Sequence, residues 1–401
     1  MAFEETHSNK ASNGDSTQVE SSDMFLHHKT RMTFTETNLV GSEGVAAAQT
    51  DANLINPWGM SESPTSPFWI SVNGSGLASI YQVTDSGVMT NFIPPITIAV
   101  PPGQTPGTAS PTGQVFNSFA SEGAFTLKDG SPATFLFATE DGTISGWNKA
   151  AGMQSIIAVD ESNNPNEGDT TLGLGAVYKG LAIAQGDDGP VLFAANFRHG
   201  TVDTYDKNFN LIKSFTDPHV PEGFAPFNVQ VLDNKLFVTF AEQDDQKHDD
   251  VAGAGNGFVD EFDLNGKLMQ RVASNGPLNS PWGLAIAPDS FGKLAGDLLV
   301  GNFGDGTINA FNLENDHFQD KLDGPNGHNA FNLKNDHFKG KLDGPDGQPI
   351  TIGDLWAITP GNGGNGGSPD TLYFTAGVKN EAQGLFGSLT PNVVGHHSLF
   401  S

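Results

Sequence analysis

Ser280-Pro281-Trp282-Gly283, followed by LLVGNFGDGTINAF over 298–311, is the stretch on which the fold turns. A proline-led turn opens a short apolar strand, and after a gap a second apolar run follows. A Gly/Asp loop then reverses the chain into a third strand that closes on Phe311. The same order of events stands near the start, where Asn56-Pro57-Trp58-Gly59 precedes FWISVNGSGLASIY and ends at Tyr81. Four further units repeat it. Pro111-Thr112-Gly113 leads to FLFATEDGTISGW ending at Trp147, and Tyr178-Lys179-Gly180-Leu181 leads to LFAANFRHGTVDTY ending at Tyr205. Ala225-Pro226-Phe227-Asn228 leads to LFVTFAEQDD and, after an insertion, GFVDEF; Asp354-Leu355-Trp356 leads to LYFTAGVKNEAQGLFGSL.

Six such units define an all-β, six-bladed β-propeller, in which each small sheet packs on the next and the closed ring removes most exposed edges. Residues 41–391 spread over six units give about 58 residues each, against roughly 40–50 for a minimal blade, so the loops are generous. One blade alone cannot bury enough apolar surface, and residues 34–391 are expected to form a single domain. The run Phe34 to Val40 (FTETNLV) alternates as a strand does and is placed as the outer strand of the last blade, joining the chain ends. Trp58, Phe116, Phe227, Trp282 and Trp356 recur near the starts of innermost strands and read as packing between blades. Residues 1–33 are polar and aperiodic and read as a disordered lead, in which His27 and His28 are solvated; residues 392–401 read as a tail.

The stretches NLINPWGMS, FLFATEDGTISGW, YKGLAIA, HDDVAGAGNGFVDEFDLNG, SPWGLAIAPDSFG, LLVGNFGDGTINAF and TLYFTAGVKNEAQGLFGSL resemble an uncharacterised family of six-bladed propellers related to NHL-type propellers. Its bacterial members are often exported, and some carry a C-terminal surface-sorting signal. The resemblance covers about 38–391 and implies the fold; it implies no activity and no catalytic residues. This chain departs from the exported members at both ends, with no leader and with NVVGHHSLFS in place of a sorting tail.

Composition narrows the function. Lys+Arg number 19 against Asp+Glu 46, a formal net charge of -27, although charged residues make up only 16% of the chain. Missing bases, more than acidic tracts, create that imbalance, and it excludes phosphate-backbone and anionic-membrane binding, which both need basic patches. Zero cysteines exclude disulfides, thiol catalysis and zinc-thiolate sites. No signal-peptide core or membrane span is visible, so the expected location is cytoplasmic, or extracellular by a non-classical route. Gly361-Asn362-Gly363-Gly364-Asn365-Gly366 fits G-x-G-x-x-G in form, but Ser-Pro-Asp and a strand follow it, so no nucleotide or flavin is expected. Asn73-Gly74-Ser75 matches a glycosylation acceptor.

In a propeller the loop entering each innermost strand and the loop between the second and third strands emerge on one face. That places Asn56, Asn228 and Asn279 near Glu140, Asp141, Asn196, Arg198, His199, Asn302, Asp305 and the run from Lys379 to Glu381. Glu140, Asn196 and Asn228 are candidates to hold an axial divalent cation, because Asn, Asp and Glu oxygens suit calcium or magnesium; the same residues are also ordinary turn formers. The densest cluster is EQDDQKHDDVAGAGNG, with Glu242, Asp244, Asp245, His248, Asp249 and Asp250 within nine positions. Its carboxylates repel one another unless solvated, paired or metal-bound. Asn56, Asp141, Arg198, His199, Asn279, Asn302 and Asp305 are the ligand-binding candidates. Two functions fit. One is a monomeric binding scaffold holding a small molecule, glycan or protein on the converging loops. The other is a calcium- or magnesium-dependent hydrolase or lactonase, as in gluconolactonase-type propellers, an analogy of fold alone.

One oddity stands apart. NAFNLENDHFQDKLDGPNGH (309–328) is followed at once by NAFNLKNDHFKGKLDGPDGQ (329–348), identical at 15 of 20 positions. The copy lacks the inner strands of a blade, so one copy is expected in the outer hairpin of blade five and the other on the surface, with His317 and His337 as surface residues.

Overall fold

The second strand of each unit reads as an unbroken apolar run because both of its faces are covered. In Phe135–Thr139, Phe137 and Phe135 pack with Trp69 and Ile80 of the preceding unit. Leu136 and Ala138 point the other way, onto Leu181, Leu192 and Ala194 of the following one. A strand period of two thus serves two interfaces at once. The pattern recurs at Leu192 and Phe193 and at Leu298 and Leu299, and six interblade clusters result, with a seventh on the axis.

The computed structural model describes residues 32–90, 94–103, 107–163, 175–313 and 338–392. Within them six sheets stand in chain order, antiparallel except where Gln49–Thr50 pairs parallel on the edge of the last, with innermost strands Pro57–Ser61, Pro111–Phe116, Tyr178–Gly186, Phe224–Leu232, Pro281–Ile286 and Leu355–Pro360. The architecture is the expected six-bladed propeller. Closure is also as expected: Phe34–Gly41 pairs antiparallel with Leu385–Pro391, so the last blade takes its outer strand from the start of the chain. The ends of the described chain are tied more tightly than a lead and a tail suggest. Met32 packs on the cluster around Phe34, and the Asn392 amide N–H donates to the Thr33 carbonyl at 2.8 Å. His27, His28, His317 and His337 lie outside the described residues. The tandem copies share blade five: Asn309, Ala310 and Phe311 open the first copy and form most of the strand Ile308–Phe311, and Phe338–Lys341, from the second, pairs with them as the outer strand.

Every innermost strand carries a bulge near its start, in five blades just after the residue paired with the end of the second strand and in blade four, where both strands run two residues further, just after Pro226. The bulge turns one side chain per blade away from the ladder. Those six are Trp58, Thr112, Lys179, Phe227, Trp282 and Trp356. Below them the strands approach so closely that side chains do not fit. A Cβ on Gly113 would lie 2.5 Å from the Leu181 nitrogen, and one on Gly180 would lie 2.2 Å from Asn228 Oδ1. The aromatics of this ring pack mainly on one another, with Trp58 and Trp356 stacked at 3.5 Å and Trp282 edge-on to both. Phe116 is the exception among the expected aromatics: it sits at the far end of its strand against Phe135, and Thr112 takes the ring position.

Candidate functional site

Five members of the axial ring are neutral, and one is a lysine. Lys179 is 1% exposed, a placement that costs several kcal/mol unless its charge is paired. The pairing comes from two neighbouring blades. Its ammonium donates to Glu140, in the loop after Phe135–Thr139, and to Asp249 at 3.4 Å, in the acidic loop of blade four. It also lies 4.8 Å over the Trp58 ring and 5.6 Å over Phe197. Burial pulls the lysine pKa down, but Glu140 and Asp249 more than offset it, so the group stays charged with its pKa above the usual lysine value.

The carboxylates around this ammonium are driven apart in acidity. His248 Nδ1 stands 2.9 Å from Asp249 Oδ1; that bond, with Lys179 behind it, draws Asp249 down to about 2. Burial pushes Asp250 up to about 6 and Glu381 up to about 7. Glu381 is held by Asn56, whose amide nitrogen donates to Oε2 at 2.5 Å while its Oδ1 accepts the Trp356 indole N–H at 3.0 Å. Its backbone is strained: Lys379, Asn380 and Glu381 all have positive φ, at 62°, 53° and 63°. Such a run costs about 1–2 kcal/mol per residue, and strain of this kind concentrates at functional sites. Asn73 donates to Glu140 Oε2 at 2.8 Å, so the amide of the glycosylation motif is already engaged.

The other expected residues divide into groups. Glu140, Asp249, Asp250, Glu381 and Asn56 meet at the mouth. Asp141 accepts the Ser110 N–H at 2.8 Å beside them, with its pKa raised by burial. Asn196 and Asn228 do not join Glu140 in one axial set. Asn196 donates to Asp203 at 2.8 Å and stands 3.1 Å from His199 Nδ1, inside blade three. Asn228 lies within its innermost strand, not ahead of it. Its amide donates to the Trp282 carbonyl at 2.7 Å, and it lines a narrow axial cavity with Gln114 and Gln230. The bulge turns Phe227 to the ring and places Asn228 in the layer below.

Arg198 donates to the Gly175 carbonyl at 3.2 Å, and burial lowers both its pKa and that of His199. Asp244 folds the acidic loop by accepting the His248 N–H at 2.8 Å; Glu242 accepts from Asn256, and Asp245 is exposed. Asp305 accepts the Thr307 N–H and hydroxyl, Asn302 donates to Asp305, and Asn279 Oδ1 accepts the Gly253 N–H at 2.7 Å. These last contacts are turn and clamp chemistry. Lys179 is the residue that motif reading passed over. Aligning the strand starts as PWG, PTG, YKG, PFN, PWG and LWA exposes it as the odd member.

A metal-ligand set exists at the same place. Glu140, His248 and Asp249 bring one ligand atom each within 4.8 Å of one another. The donors suit a divalent ion in kind, but two of them already hold the Lys179 ammonium. Among the described residues no helix is long and apolar enough to cross a membrane.

No profile of a known protein family matches the chain. Among proteins of known sequence it is similar to three uncharacterised proteins of Acanthamoeba polyphaga mimivirus. R648 is 30% identical over 284 residues, covering 68% of this chain and 65% of the relative. R640 is 32% identical over 212 residues, covering 50% and 37%, and L690 is 28% identical over 285 residues, covering 68% and 70%. The chain thus spans less than two thirds of the first two. Among solved structures, a glucose dehydrogenase aligns over 88% of this chain and 99% of its own with a TM-score of 0.48 at 12% identity. A streptogramin B lyase aligns over 90% and 98% with a TM-score of 0.43 at 12% identity. Likeness of that degree carries no activity across.

Proposed function

We propose that this chain is a binding propeller whose ligand site is the mouth of the ring, centred on Lys179, Glu140 and Asp249. The observation that carries this reading is the fully buried ammonium on the axis, tied to the mouth loops of blades two and four. A metal-binding propeller would place a cation at such a point; here the protein supplies its own. Glu140, Asp249, Asp250 and Glu381 outnumber that ammonium, so the mouth favours neutral or cationic ligands over anions. Glu381, raised to about 7, is half protonated at neutral pH, and Asp250, raised to about 6, takes up its proton just below it, so this edge of the mouth can donate as well as accept, which suits hydroxyl-rich ligands such as glycans. Melting curves of the wild type and of Lys179→Met, recorded with panels of oligosaccharides, short peptides and alkylamines, test the reading. A ligand at a hundredfold excess over Kd stabilises by about 2.7 kcal/mol. A shift that survives unchanged in Lys179→Met puts the ligand elsewhere and defeats the proposal.

A second reading is favoured by the Glu140, His248 and Asp249 set: a metal-dependent hydrolase or lactonase. A bound divalent ion there would polarise a carbonyl, with Glu381 as the proton-exchanging group beside it. Turnover of lactone or ester substrates that requires added calcium or magnesium, and is lost in Asp249→Asn, would favour it over the first.

A further inference from the structure

The sequence contains eight Asn-Gly steps, six of them within the described residues, at Asn73, Asn256, Asn265, Asn275, Asn362 and Asn365. At such a step the glycine nitrogen can reach the asparagine side chain, since no Cβ blocks the approach. Whether it does depends on what holds the two amides. We propose that Asn275-Gly276 is a self-modification site of the folded protein, deamidating through a cyclic imide to aspartate and isoaspartate.

The chemistry needs only water. The Gly276 nitrogen gives up its proton and bonds to Asn275 Cγ; the Cγ–Nδ2 bond breaks, and ammonia leaves carrying that proton. Water then opens the five-membered imide. Attack at Cγ yields aspartate, and attack at the main-chain carbonyl yields isoaspartate, with the backbone rerouted through the side chain. Nothing is oxidised or reduced.

Five of the six steps are locked. Asn73 donates to Glu140, and the Gly74 N–H is bonded to the Ile55 carbonyl at 3.0 Å. Asn256 donates to Glu242 and to the Val251 carbonyl. Asn265 donates to Asp187 at 2.9 Å, with the Gly266 N–H on the Asp263 carbonyl. Asn362 donates to the Ser63 and Ser66 carbonyls, with the Gly363 N–H on the Gly367 carbonyl. Asn365 donates to the Thr65 carbonyl, and the Gly366 N–H is taken by Asn362 Oδ1 at 3.0 Å. At the sixth, both residues are exposed, and neither the Asn275 side chain nor the Gly276 N–H has a partner among the described residues. An added Cβ on Gly276 would come no closer than 3.7 Å to its nearest neighbour, the Ser274 carbonyl, so the space around the glycine is open, while the Asn275 N–H donates to the Gly257 carbonyl and the Asn275 carbonyl accepts the Leu278 N–H, both at 2.9 Å.

The position matters to the mouth. The turn runs directly into Leu278, Asn279 and Ser280, which clamp the acidic loop: Leu278 accepts the Gly255 N–H, Asn279 accepts the Gly253 N–H, and the Ser280 N–H donates to Asn256. Isoaspartate would lengthen the backbone at the root of that clamp.

The full chain, held in mildly alkaline buffer and sampled over time, is digested and mapped by mass spectrometry. Isoaspartate is labelled with an isoaspartyl carboxyl methyltransferase. A parallel sample unfolded in urea supplies the intrinsic rate at each step, and Asn275→Gln identifies the peptide. The five locked steps react only after local opening, so the native-to-unfolded rate ratio at Asn275 should exceed each of theirs by about tenfold or more. A locked step converting as fast as Asn275, or Asn275 staying intact in the native protein while it converts in urea, overturns the proposal.

Discussion

Replacing Lys179 with methionine tests whether the axial ammonium holds the mouth together. Methionine keeps most of the volume and loses the charge. The Lys179 side chain is 1% exposed and that of Glu140 is 10% exposed, whereas Asp249 is 68% exposed and keeps His248 as a partner. The cost therefore falls on Glu140, which retains the Asn73 amide alone. Breaking a buried pair from one side costs about 3–5 kcal/mol; the residual Asn73 bond places Lys179→Met near the lower end, at about 3 kcal/mol. Changing both partners, as Lys179→Met with Glu140→Gln, leaves no orphan charge and should return the loss to about 1 kcal/mol. The coupling between the two sites, the sum of the two single losses less the double loss, would then be at least about 2 kcal/mol, as expected for residues in one network. Urea unfolding followed by tryptophan fluorescence measures all four corners of the cycle, with a constant m-value confirming that only stability has changed. A single variant that loses less than about 0.5 kcal/mol, as an ordinary surface change does, or two losses that simply add, would refute the role given to Lys179. Calcium added to Lys179→Met should raise its midpoint more than that of the wild type if Glu140, His248 and Asp249 accept a divalent ion once the ammonium is gone.

Other parts of the molecule give their own tests. Burial pushes the Glu62 carboxyl up to about 9 from an ordinary 4.5, and Oε2 has no hydrogen-bond partner among the described residues. The folded state therefore binds the extra proton across that window, and stability falls as pH climbs through it; Glu62→Gln should flatten the decline and raise the melting temperature at about pH 8. Lys379→Gly relieves one of three consecutive left-handed residues and should stabilise by about 0.5–1 kcal/mol in thermal unfolding. A chain starting at Met32 should melt as the full chain does, whereas one starting at residue 42 loses the strand Phe34–Gly41 and should lose its cooperative transition. Deleting 329–348 leaves FQDK following NAFNLENDH just as FKGK follows NAFNLKNDH, so the outer strand of blade five can be rebuilt, and melting should move by no more than a few degrees.

What the sequence determined by itself was the repeat. Proline-led turns, apolar runs with both faces buried and Gly/Asp reversals are local signals, and their recurrence in six units specifies blades, ring and closing strand before any contact is known. Phe34–Gly41 was legible as a strand because alternation survives without knowledge of its partner. The ends of the ring were less legible, since the Thr33–Asn392 tie joins residues distant in sequence. The site was read less well for the same reason. Loop position alone brought Glu140, Asp249, Asp250 and Asn56 to the mouth, yet it also placed Asn196 and Asn228 there. Which way a side chain turns is decided by the bulge in each innermost strand, and a bulge exists only in the pairing with its neighbour. Lys179 was written in the sequence as a variant of Pro-Trp-Gly. Only the tertiary structure shows that its ammonium stands on the axis, because its partners come from two other blades and its burial requires the whole ring.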